Sequence, residues 1–199
     1  MSDVWNSIQM VSKKNGGFVT TKQIEDAGIN RVYLKDFLAN GSIERIGRGY
    51  YALPDTFVDE YAWLQSRSSL LVFSHGTALW FWGMSDRVPH IIDVTIPSGT
   101  NVSRIKKDNA DVHFHYIKPE LYDLGITETK SSAGVDVRLY DRERSICDIV
   151  CARKHTDSQL YSQAIKDYFN NQPDMRKLLK YAKKFGIEDE IRTYAEILA

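Results

Sequence analysis

Apolar positions recur first at helical and then at alternating spacing over the opening fifty residues, and the change of period outlines one module. Val4, Ile8 and Val11 make one face of an opening helix, which Asn15-Gly16-Gly17 stops. Thr20 stands three residues before Gln23, so hydroxyl and amide can each satisfy a backbone N–H left open at a helix start. Ile24 and Ala27 give that second helix an inner face, and Gly28 permits the sharp turn behind it. Asn30 suits the N-cap of a third helix over 30–40, with Leu34, Phe37 and Leu38 on one side. Gly41 ends it. Ile43-Glu44-Arg45-Ile46 and Tyr50-Tyr51-Ala52 then flank Gly47-Arg48-Gly49, two short strands with an arginine at the hairpin tip. Helix, turn, helix and wing in this order predict a winged helix-turn-helix, whose second helix ordinarily enters the major groove of DNA.

Beyond the wing, Leu53-Pro54-Asp55-Thr56 is the expected seam, because Pro54 cannot continue a paired strand. This divides the chain into residues 1–54, a DNA-binding winged helix-turn-helix, and residues 55–199, a second domain. The pattern predicts a helix over 57–66 with Tyr61 and Leu64 inward, then a strand over 70–73. Ser74 suits the N-cap of a helix through Ala78, Leu79, Trp80 and Trp82, closed by Gly83. Strands follow over 91–96, 112–117 and 135–139, and the pattern is helical over 142–153, 158–170, 174–185 and 188–198. The fold class is therefore α+β: a winged helix-turn-helix followed by a mixed α/β domain ending in several helices. The stretch Glu128-Thr129-Lys130, rich in Gly, Thr and Ser around it, reads as a loop.

Composition narrows the function classes. The chain has 199 residues, 43% of them hydrophobic and 26% charged, as in an ordinary globular protein. Twenty-six basic residues balance 26 acidic ones, which argues against a protein that coats polyanions but permits local basic patches. No apolar run reaches membrane-spanning length and the N-terminus lacks a signal-peptide plan. With two cysteines, a reducing cytoplasm is the expected compartment.

The DNA-facing residues expected in the winged module are Thr21, Lys22, Asn30, Arg31, Tyr33, Lys35, Arg45 and Arg48. Arg31 is the candidate for a guanine contact, and Arg48 for a phosphate or the minor groove. Residues 1–52 carry seven Lys/Arg and five Asp/Glu, a net of +2, so charge alone adds little. The face bearing Arg31, Val32, Tyr33, Lys35 and Asp36 would also suit plain solvation, and winged helices serve protein contacts too. Further on, Arg176, Lys177, Lys180, Lys183 and Lys184 crowd one helix with no acid between 176 and 184. Lys177, Lys180 and Lys184 are expected to extend the DNA footprint, against the alternative of a solvated face.

Catalytic constellations are weak. A nucleotidyltransferase needs clustered carboxylates after a Gly-Ser turn, and Gly76-Thr77 lacks them. Asp93 with Glu128-Thr129-Lys130 mimics a metal-dependent nuclease, but on a loop. Cys147, Cys151 and His155 span about 12 Å of helix, too far for one ion. His75 beside Ser74 suits a helix cap, and His113 with His115 on one strand face lacks a third ligand. Arg144 and Asp148, four apart on a helix, most simply pair. The expectation is no enzyme, no metal and no cofactor.

A glycine-led winged helix, then SHGTALWFWGMSDRVPHIIDVTIPSG over 74–99, then DRERSICDIV over 141–150, resembles the AbiEi family. These are antitoxins of bacterial type IV, abortive-infection toxin–antitoxin systems, and the resemblance runs from about Gly16 to Val150. It implies a winged module that binds and represses the promoter of its own operon. It also implies a second domain that opposes a nucleotidyltransferase toxin without forming a stable complex. Two alternatives stand beside it: a winged-helix protein with a nuclease-like second domain, and an interaction module without nucleic acid.

Overall fold

The computed structural model describes residues 2–198 of the chain, an α+β fold that divides into two compact units. One unit runs through Ser68 and takes in Lys130–Val137; the other comprises Ser69–Thr129 and Arg138 onward.

The first unit holds α1 (Ser2–Lys14), β1 (Phe18–Thr20), α2 (Thr21–Asp26), α3 (Val32–Ala39), β2 (Glu44–Gly47), β3 (Tyr50–Ala52) and α4 (Glu60–Ser66). The capping box expected at α2 forms: Thr20 Oγ1 accepts the Gln23 N–H at 3.1 Å and Gln23 Oε1 accepts the Thr20 N–H at 2.9 Å. Residues 18–20, not expected as a strand, pair antiparallel with β3, so the wing becomes a three-stranded sheet in the order β1-β3-β2. Ile8, Val19, Ile24, Ile29, Leu34, Phe37 and Ile43 close the core between helices and wing, and Trp5 lies 5.1 Å from Phe37, ring to ring. Ala27, expected inside, is an exposed C-cap; Ile29 fills that place from beyond the glycine turn. Helix α3 begins later than expected because Asn30 Oδ1 accepts the Val32 N–H at 3.0 Å and Arg31 occupies the N-cap position. Leu38 is 36% exposed, leaving Leu34 and Phe37 as the buried positions of α3. Likewise α4 starts at Glu60 because Asp59 caps it, accepting the Tyr61 and Ala62 N–H groups, and Phe57 stays exposed. Gly17 (φ +94°) is required by its surroundings: a Cβ there would lie 2.0 Å from the Phe57 carbonyl oxygen.

The second unit is built on β4 (Val72–Phe73), α5 (His75–Phe81), β5 (Ile92–Pro97), α6 (Ser103–Asp108), β6 (Val112–Ile117), α7 (Pro119–Tyr122) and most of β7 (Ile126–Lys130) and β8 (Asp136–Tyr140), whose ends Lys130 and Asp136–Val137 belong to the first. Four helices follow: α8 (Arg142–Cys151), α9 (Ser158–Asn170), α10 (Met175–Phe185) and α11 (Glu188–Leu198). The sheet order is β6-β5-β4-β8-β7, with β5 parallel to β6 and antiparallel to β4. Residues 128–130 thus lie in strand β7, not in a loop; alternation was masked there by Thr and Gly. The short helices α6 and α7 were also unexpected, being too brief to show a period. Apolar side chains of α8–α11 form the largest buried cluster, around Ile146, Ile149, Ala164, Tyr168, Leu178 and Ile191.

Candidate functional site

In the winged module, Lys22, Asn30, Lys35, Arg45 and Arg48 are exposed, while Thr21 and Tyr33 are half-buried. Thr21 has a structural part, since its N–H donates to the Gly49 carbonyl at 2.9 Å and ties the wing to the start of α2. Arg45 Nε donates to the Gly47 carbonyl at 3.2 Å, inside the hairpin. Tyr33 packs on the apolar core. Arg31 is exposed but not free, because its Nη2 donates to Glu25 Oε2 at 2.9 Å across the helix turn. That hydrogen bond holds the Glu25 carboxyl below its usual range and the guanidinium above its own. Arg48 sits exposed at the hairpin tip without an ion-pair partner among the described residues. Lys22, Lys35 and Arg48 thus stand exposed on the module, whereas Arg31 is held by Glu25.

Helix α10 separates its cations. Arg176, Lys180, Lys183 and Lys184 are exposed at helical spacing, a stripe of four. Lys177 is set apart, its Nζ 3.0 Å from Asp141 Oδ2 and 2.9 Å from Glu143 Oε2. Burial works against its charge, but those two carboxylates outweigh it and hold the ammonium above its ordinary range. A salt-bridged lysine fastening α10 to the start of α8 was not legible from the cation count.

A second polar centre lies inside the second unit. Ile92, Val94, Ile96 and Phe114 are buried, and the alternate positions of the same strands carry Asp93, Thr95, His113 and His115. The parallel register sets Asp93 beside His113 and Thr95 beside His115. His115 Nε2 is 2.8 Å and His113 Nδ1 is 3.3 Å from the same oxygen, Asp93 Oδ1. The His75 ring stacks on His115 at 3.5 Å and 10°. Ser74 Oγ is 3.0 Å from His75 Nδ1 and accepts from Thr95 Oγ1 at 2.8 Å. Ser74 is the N-cap of α5 by position, but its hydroxyl serves this network instead of the helix. Burial and the neighbouring His115 push His75 down to about 3, so its imidazole is neutral. Beside it, Arg144 is fully buried and its Nε donates to Asp148 Oδ1 at 2.8 Å. Its Nη1 donates to the Leu121 and Leu124 carbonyls at 2.7 and 2.8 Å, and the guanidinium lies 3.8 Å from the Tyr140 ring. Burial raises the Asp148 carboxyl, with Arg144 opposing. Arg144 Nη2 and Asp148 Oδ2 have no hydrogen-bond partner among the described residues.

Asp93 stands beside the two histidines that lacked a third ligand in the sequence, so that one ligand atom each of Asp93, His113 and His115 lies within 4.8 Å of the others. The available signal was an aspartate set within the apolar run Ile91–Ile96 and a His-x-His alternation; that the two strands adjoin in parallel register could not be read. The other expectations are settled by distance and place. Asp93 on β5 and Glu128 on β7 lie three strand steps apart, roughly 14 Å at sheet spacing, too far to share an ion. Cys147 is buried, Cys151 ends α8 and His155 lies beyond the helix. Arg144 and Asp148 pair as expected.

Residues 6–54 match the family model of the AbiEi antitoxin transcriptional regulators. The resemblance read from the residues therefore holds over the winged module, and the matched family is one of antitoxin-type regulators. The crystal structure of the RV2827C protein from Mycobacterium tuberculosis is similar over 96% of this chain and 80% of that one, with a TM-score of 0.62 at 12% identity. At that identity the likeness concerns the fold alone. No curated protein matches the chain. No helix among the described residues is long and apolar enough to cross a membrane.

Proposed function

We propose that this protein is the antitoxin of a type IV toxin–antitoxin system and represses its own operon by sequence-specific DNA binding. The observation that carries this reading is the α2–turn–α3 motif with the Arg48-tipped wing, in a segment matching the AbiEi regulators. In this reading α3 enters the major groove of the operator, a double-stranded site in the protein's own promoter. Asn30, Arg31, Tyr33 and Lys35 approach base edges; Thr21, Lys22, Arg45 and Arg48 meet the backbone or minor groove. The exposed stripe of α10, with Lys180 and Lys184, continues the footprint, and Lys177 serves chiefly the fold. Residues 1–54 carry repression. Residues 55–199 oppose a nucleotidyltransferase toxin without a stable complex, in the cytoplasm and without enzymatic activity of their own.

The test is binding of the full-length chain to duplex DNA from upstream of its own gene, against a scrambled duplex, over a range of salt. Tighter binding to the native duplex is expected, with protection of a discrete site. Equal binding to both duplexes would reduce the module to a nonspecific DNA binder, and no binding would favour a protein-contact role.

A further inference from the structure

We propose that Asp93, His113 and His115 bind a divalent transition-metal ion of the zinc class, with at least one coordination position left to water. The inference is independent of the DNA-binding reading and concerns a site within the second unit.

The argument starts from strand geometry. Residues two apart on a strand share a face, so His113 and His115 point the same way; the parallel register places Asp93 directly opposite His113. One ligand atom from each of the three residues lies within 4.8 Å of the others. Imidazole nitrogen and carboxylate oxygen are zinc-type ligands, and bonds of about 2.0–2.1 Å set tetrahedral ligand atoms roughly 3.3 Å apart. The separation of His113 Nδ1 from Asp93 Oδ1 is 3.3 Å and meets that directly. His115 Nε2, at 2.8 Å, needs to open by roughly half an ångström.

Both imidazoles converge on one carboxylate oxygen, and His115, 22% exposed in its side chain, already hydrogen-bonds it. His113, 61% exposed, gains little from a contact for which water competes. As a ligand, the same residue has a use, and its exposure is the route by which an ion enters. On the other side, His115 lines a cleft of about 230 Å³ together with His75, Thr95 and Asp148. Asp148, also in that lining, keeps its Oδ2 buried and without a hydrogen-bond partner among the described residues. Three protein ligands leave at least one coordination position open, unlike the closed four-ligand arrangement of a structural zinc site.

The decisive experiment uses the untagged full-length chain, stripped with a chelator and titrated with Co²⁺, whose visible absorption reports coordination, then with Zn²⁺. One equivalent of Co²⁺ is expected to give the strong bands of a four- or five-coordinate site, and Zn²⁺ to abolish them. Zn²⁺ is also expected to raise the thermal midpoint of the wild type, because it binds the folded chain. His113→Ala, changed on the exposed side, and Asp93→Asn, which keeps hydrogen bonding but loses the charge, should each weaken Co²⁺ binding about a hundredfold or more. His155→Ala should leave binding unchanged. A wild-type spectrum no different from aqueous Co²⁺ would overturn the proposal, and so would equal binding by wild type and His113→Ala.

Discussion

In the first unit the Arg31–Glu25 pair stands in water, its side chains 63% and 43% exposed, whereas in the second the Arg144–Asp148 pair is 0% and 4% exposed. The same two chemical groups do different work in the two places. Around the winged core the packed residues are mainly apolar, and Lys22, Lys35, Arg45 and Arg48 lie outside, where a polyanion can reach them. The second unit has drawn Glu143, Arg144, Ser145, Asp148, Ser74, Thr77 and Thr95 into its interior. An exterior charge can be exchanged for a phosphate at little loss, because water already solvates it. A buried charge must keep its partners, so it specifies one arrangement or binds something that completes it. The contrast separates a charged, solvated exterior from an internal polar site.

The largest expected effect comes from breaking the buried pair. Asp148→Leu leaves Arg144 charged and unpaired in the core and should destabilise the chain by about 3–5 kcal/mol in urea melts. Arg144→Met combined with Asp148→Leu should recover part of that loss, the remainder reporting the guanidinium bonds to the Leu121 and Leu124 carbonyls. A single variant as stable as wild type would erase the contrast. The counterpart in the first unit, Glu25→Gln, should leave the melt unchanged and tighten operator binding by releasing Arg31. Unchanged operator affinity would take Arg31 out of the interface.

Next in size is Gly17→Ala, where the new Cβ meets the Phe57 carbonyl oxygen in a left-handed conformation. A loss of about 2–3 kcal/mol is expected. Hydrogen exchange should show faster opening of the winged core than of α8–α11. Equal opening in both regions would mean that the two units unfold together.

Alkali should sharpen the comparison further. Burial pushes Tyr61 in the first unit up to about 12, and in the second unit it does the same to Tyr181 and raises Tyr140, Tyr161 and Tyr168 as well. A phenol held above its ordinary value adds stability that is complete below about pH 10 and vanishes as the pH climbs through the folded value. With more such phenols, the second unit should lose stability first and more steeply between about pH 10 and 12. A helical signal retained in full to about pH 12 would contradict this.

The smallest effect expected on stability belongs to the wing tip. Arg48→Ala should leave the thermal midpoint unchanged, yet lower operator affinity and reduce the salt slope of log K by about one unit. A normal slope would place the wing outside the interface.

The winged module was legible because its signals are local. Thr20 with Gln23, the glycine turns at 28 and 41 and the Gly-Arg-Gly hairpin each act within a few residues, where a propensity or a cap decides the conformation. The C-terminal helices were read for the same reason, through their period; the structure adds the caps at Asp141, Asp157 and Asp174. The polar centre was not legible because its members meet only through the sheet. His113 and His115 declare a shared face, but their nearness to Asp93 depends on β5 and β6 lying parallel in one register. His75 reaches them only because α5 begins against that face. The partners of Arg31 and Lys177 were equally out of reach, since a charge in sequence does not announce which carboxylate packing will bring to it. Spacing along the chain therefore determined the longer elements, while the pairing of distant strands and helices decided which charges are free, which are fastened, and where three ligands converge.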